Sequence, residues 1–120
     1  MITSKYFNEK EFVNCTPKCS LQNMQQSLMD KLDEARELAG IPFVINCAYR
    51  SVKWDKSKGR TGNSAHTTGH AVDIRCNADK NRFKIVEALI KVGFKRIGVA
   101  KTFIHADNSP TLSQQVIWMY

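Results

Sequence analysis

No stretch of this chain stays apolar for the roughly 20 residues that a membrane-crossing helix needs, so nothing in it reads as a bilayer span. The opening MITSKYFNEKEFVN interleaves charges and aromatics where a secretion signal has a continuous apolar centre. The expectation is therefore a product that is cytoplasmic as synthesised. Six glycines and three prolines in 120 residues are too few for a Gly/Pro-rich linker, and no repeat or low-complexity tract interrupts the chain. With 42% hydrophobic residues, that length is expected to build one core and one domain over residues 1–120.

Acidic residues are also scarce. Eleven Asp plus Glu face eighteen Lys plus Arg, and the resulting +7 favours a polyanionic setting without choosing among nucleic acid, anionic lipid and wall polymer. No nucleic-acid-binding motif accompanies the charge, so no nucleic-acid partner is expected. The densest basic stretch, KWDKSKGR at 53–60, contains Trp54 and reads as a solvated loop. Cys15, Cys19, Cys47 and Cys76 permit three disulfide connectivities, with reduced thiols the default where no secretion signal is read. Cys15 and Cys19 stand in CTPKC, but a structural zinc takes four ligands and no second close pair follows.

Secondary structure can be read from periodicity. Ser20 is a plausible N-cap for a helix running to Ala39, with Met24, Leu28, Leu32, Ala35 and Leu38 on one face and Gly40 as the stop. IPFVINCAYR then reads as a strand ending near Arg50, and residues 51–64 as a long surface loop. AVDIRC follows as a strand that puts Val72, Ile74 and Cys76 on one face, and Ala71, Asp73 and Arg75 on the other. Asn77 or Asp79 can cap a second helix with Phe83, Val86, Leu89, Ile90 and Val92 as its apolar stripe, and Gly93 ends it. Strands are expected around RIGVA, TFIHAD and QVIWMY. The order suits an α+β domain, a small, mostly antiparallel sheet with helices packed on one face.

The stretch SAHTTGHAVDIR at 64–75 concentrates polar chemistry ahead of that central strand. Alternation puts Asp73 on one face, and Phe103, His105 and Asp107 share a face of another strand, so with His66 from the loop these residues can converge. Two imidazoles and a carboxylate suit a catalytic zinc, leaving a fourth tetrahedral position for water. His70 follows His66 through Thr-Thr-Gly, which disfavours a helical turn and leaves His70 outside that set. On the residues alone, three histidines in a basic chain fit a metal set and ordinary polar positions alike.

Residues 43–107 resemble the zinc D-alanyl-D-alanine carboxypeptidase and peptidoglycan endopeptidase family. The family pattern is a strand ending in Y-R, a loop, S-x-H-x-x-G-x-A-x-D, and a later strand carrying H-x-D. The matching pieces are AYR at 48–50, SAHTTGHAVD at 64–73 and FIHAD at 103–107. The resemblance implies zinc (Zn2+) held by His66, Asp73 and His105, and the fold shared with the hedgehog signalling domain. It implies hydrolysis of a D-Ala-containing peptide bond in bacterial peptidoglycan, as carboxypeptidase or cross-link endopeptidase, with the stem peptide as partner. Together with the missing secretion signal it is similar to compact, monomeric phage or prophage lysis enzymes that act on the cell wall.

Within that resemblance Gly69 permits a tight turn, Ala71 keeps bulk from the metal, and Ser64 steadies His66. Arg50 is a candidate catalytic residue that forks onto a substrate carboxylate or supports the developing oxyanion. Many members carry Asp or Glu as the base three residues before the last histidine, and Thr102 stands there in this chain. Asp107, on the face of His105, is the expected substitute, acting as the base or as the partner that orients the imidazole. The Thr102 departure keeps a second reading open, a non-catalytic zinc-binding recognition module.

Overall fold

A computed structural model describes residues 1–120. Three helices, α1 (Gln26–Ala39), α2 (Val52–Ser57) and α3 (Asp79–Lys91), accompany five strands, β1 (Ile45–Cys47), β2 (Ala71–Arg75), β3 (Arg96–Val99), β4 (Phe103–Asp107) and β5 (Val116–Met119). The strand order is β1-β2-β4-β3-β5, antiparallel throughout except for the β3–β5 pair. The expected α+β class with a mostly antiparallel sheet is the class observed.

One face of the sheet is the core. Val72 and Ile74 of β2, Ile97 of β3, and Ile104 and Ala106 of β4 are buried there against α1 and α3. α1 contributes Leu28, Met29, Leu32 and Ala35, and α3 contributes Ile85, Ala88 and Leu89. Truncating a fully buried leucine such as Leu32 to alanine costs about 2–5 kcal/mol, so this face holds the sheet in register. The opposite face is left to polar and aromatic side chains. No helix is long and apolar enough to cross a membrane.

Several local expectations are corrected. Ser20 caps a short 3-10 turn, Leu21–Asn23, by accepting from Gln22 N at 3.0 Å, and an extended Met24 separates it from α1. Leu38 falls outside the buried face and is exposed. The expected long loop at 51–64 contains α2, whose first turn is closed by Ser51 Oγ accepting from Trp54 N at 3.0 Å. α3 starts after Ala78 with no side-chain cap, so neither Asn77 nor Asp79 fills that role. Phe83 and Ile90 face outward, because the buried stripe of α3 runs through Ile85, Ala88 and Leu89.

Candidate functional site

The open face is organised by strand register. Asp73 lies opposite Cys47 on one side and His105 on the other, His105 lies opposite Gly98, and Gly98 lies opposite Trp118. One row thus runs across all five strands. A bulge between Ile45 and Cys47 lets β1 bury Ile45 in the core and still turn Cys47 toward this row. Gly98 is required beneath Trp118, since an added Cβ would stand 2.6 Å from the indole Nε1. The ring it admits lies 5.2 Å from the imidazole of His105, centroid to centroid.

His66 reaches the row from the 3-10 turn Ala65–Thr68. Ser64 Oγ caps that turn by accepting from His66 N at 3.2 Å, and Gly69 closes it with φ of +78°. A Cβ on Gly69 would lie 2.4 Å from the backbone oxygen of Asn23, so only glycine lets this turn dock against the segment before α1. The docked turn buries His66, whose Nδ1 donates to Ala48 O at 2.6 Å. That bond fixes the tautomer, and Nε2 is left to face Asp73 Oδ1 at 3.5 Å.

His105 is oriented in the complementary sense. Its Nε2 donates to Asp107 Oδ2 at 2.6 Å, which turns Nδ1 toward the same Asp73 Oδ1 at 3.1 Å. Two imidazole lone pairs therefore point at one carboxylate oxygen with no donor among them. Such a set demands either protons or a cation. Burial opposes the charge on His66 and His105, yet Asp73 and Cys47 beside His66, and Asp107 and Asp73 beside His105, outweigh it and raise both imidazoles above 6.5. Burial would likewise raise Asp73, but His105 and His66 hold it well below the usual carboxylate range.

Asp107 is fully buried and engaged at both oxygens. Oδ2 receives His105, while Oδ1 accepts from Arg96 Nε at 2.8 Å and from Ser109 N at 3.1 Å. Arg50 sits at the other side of the cleft, its Nε 3.0 Å from Asp55 Oδ1 and its Nη2 donating to Ser64 Oγ at 3.1 Å. Both arginines border a cleft of about 400 Å³ whose floor holds His66, Asp73, His105 and Asp107. A cleft of that size accommodates a short peptide segment.

The structure thus brings together His66, Asp73, His105, Asp107 and Arg50. His70 is not among the residues of the cleft, and its Nδ1 pairs with Thr68 Oγ1 at 2.7 Å. Thr102 is exposed in the bend before β4 and is not among the residues lining the cleft. Sequence reasoning missed Cys47, whose Sγ groups within 4.8 Å of ligating atoms of His66 and Asp73. It also missed Arg60, Arg96, Trp118 and Tyr120 as cleft residues. The alternation of β3 and β5 would have put Arg96, Trp118 and Tyr120 on one face had their pairing been known.

A helix-backed sheet whose open face brings two imidazoles to one carboxylate in a peptide-sized cleft is the kind of arrangement that metallopeptidases use. The family model described as Peptidase M15 matches residues 5–107, and the chain belongs to that family. The solved structure of the Serratia marcescens L-Ala D-Glu endopeptidase ChiX shares the fold: at 16% identity the match covers 89% of this chain and 90% of that one, with a TM-score of 0.57. No curated protein sequence matches the chain.

Proposed function

We propose that the chain hydrolyses a peptide bond of bacterial peptidoglycan, using zinc held by His66 Nε2, Asp73 Oδ1 and His105 Nδ1. The observation that carries this reading is the approach of His66 Nε2 and His105 Nδ1 to Asp73 Oδ1, at 3.5 and 3.1 Å. Ligand atoms around a tetrahedral zinc are separated by about 3.3 Å when the bonds are about 2.0–2.1 Å, so the donors fit the ion in type and the two spacings to Asp73 match it, while Cys47 Sγ, grouped with His66 and Asp73, is a further ligand candidate. Zinc bound there supplies a Lewis acid for the scissile carbonyl and lowers the pKa of the attacking water.

The remaining chemistry belongs to side chains. Arg50, pinned by Asp55 and Ser64, presents its guanidinium to the oxygen that gains charge as the carbonyl is attacked. Asp107 fixes the tautomer and tilt of His105. Of the two roles open to it from the sequence, the orienting one suits a carboxylate engaged at both oxygens. Trp118 and Tyr120 form an aromatic wall along the peptide path.

The bond cut is either the D-Ala-containing one implied by the family resemblance or an L-Ala–D-Glu bond, the one in the structural neighbour's name. Purified chain loaded with zinc and incubated with peptidoglycan tests the reading. Soluble muropeptides are expected, and their masses identify the bond. A second reading, a zinc-binding recognition module, draws on one observation: apart from Asp73 and Asp107 the cleft has no carboxylate to take a proton. Tight zinc uptake and peptide binding with no released product would establish it instead.

A further inference from the structure

Three guanidiniums border the cleft, and two of them are committed. Arg50 and Arg96 have side chains only 12% and 13% exposed, each ion-paired at about 3 Å with a fully buried aspartate. Arg60 differs. Its side chain is 48% exposed and its nearest anion, Asp55 Oδ1, is 4.0 Å away, outside hydrogen-bonding range. The ring of Trp54 carries Arg60 on one wall with Arg50, the two Cζ atoms lying 5.8 and 5.9 Å from its centroid. Stacking of this kind restrains a guanidinium while leaving its N–H edge free.

Charge points the same way. Asp55 is the one carboxylate shared by Arg50 and Arg60, and it receives no well-aligned hydrogen bond from either, so the wall keeps one surplus positive charge. Lys58, 5.3 Å from the centroid of the same ring, adds to it. A restrained, half-exposed guanidinium with an open fork beside a peptide-cleaving centre matches a planar anion on the substrate.

Resting on the function proposed above, we infer that Arg60 is a specificity-determining residue that binds the free carboxylate of an acidic residue next to the scissile bond, so that the preferred substrate is an acidic peptide. An amide in place of that carboxylate offers no charge and presents donors to a donor, so amidated peptides are discriminated against.

The test uses zinc-loaded protein and paired peptides that contain either L-Ala-D-Glu or L-Ala-D-Gln. The acid is expected to exceed the amide in kcat/KM by about tenfold or more, the scale of one charge-assisted contact. Arg60→Gln should collapse that ratio toward one, chiefly by raising KM for the acid, and Arg60→Lys should restore part of it. Calorimetry with ketomethylene analogues, which cannot be cleaved, reads the same preference as affinity. Equal affinity of the wild type for acid and amide analogues overturns the inference, as does a preference that survives Arg60→Gln or vanishes in Lys58→Gln. Acid preference lost with Arg60 but with no cleavage of any peptide sustains the inference and sinks the hydrolase reading.

Discussion

His105 donates from Nε2 to Asp107 Oδ2 across 2.6 Å, two residues further along the same strand. The contact is built into β4, because residues two apart share a face, and Arg96 and Ser109 hold the carboxylate in place from beyond it. Asp107→Ala frees the imidazole to rotate and to change tautomer. Zinc affinity is expected to fall about 10–100-fold, with activity lost in parallel and recovered in part at high zinc. Titration with a competing chelator measures the first effect. Normal zinc affinity with turnover abolished would instead make Asp107 the base.

Gly69 combines a left-handed backbone with a backbone neighbour where a Cβ would have to go. Gly69→Ala is expected to destabilise the fold by roughly 2–4 kcal/mol, from adverse φ plus displacement of the Asn23 segment. The turn bearing His66 moves with it, so zinc affinity should fall as well. Urea denaturation and chelator competition read the two effects separately.

The metal-free chain should have a characteristic pH profile. His66 and His105 are raised above 6.5, so their contribution is present at lower pH and is lost as the pH climbs through their folded values. Asp73 and Asp107 are lowered below 3.8, so theirs is present above that value and is lost as the pH falls below it. Metal-free Tm is expected to peak between these limits and to decline on the alkaline side, whereas zinc, which replaces the protons, should abolish the alkaline decline. Thermal melts of both forms from roughly pH 3 to 9 check the pattern.

Among the four free cysteines, Cys19 should react first with iodoacetamide near neutral pH. The neighbouring thiol of Cys15 lowers Cys19 to about 7 against the opposing effect of burial, and Cys19 is partly exposed. Cys15 is buried, and the neighbouring thiol together with burial pushes its own pKa up. Peptide mapping after brief alkylation gives the order, and Cys15→Ser should slow the reaction at Cys19.

How much of this was legible in the sequence follows from the range of each interaction. Period-two alternation placed Asp73 on one face of its strand, and His105 with Asp107 on one face of another, and the structure agrees because both strands bury their other faces in one core. Cys47 escaped that reading because its orientation depends on a bulge, which shifts the face without altering composition. α2 escaped because a six-residue helix rich in lysine carries no apolar stripe, and its anchor is a single buried aspartate. Trp118 and Arg96 could not be paired in advance, because β5 bypasses β4 to lie parallel to β3. α3 misled because Phe83 and Ile90 are apolar but solvent-facing.

The short helix α2 and the segment after it stand apart from the sheet that assembles His66, Asp73 and His105. If Arg60 reads the substrate as proposed, much of the recognition lies in a segment that joins the reactive centre mainly through Asp55 and Arg50. Exchanging residues 56–62 while keeping Asp55, which holds Arg50, should retarget the molecule to a different cargo and leave its reactive centre in place, which makes this segment the place to begin in engineering new selectivity.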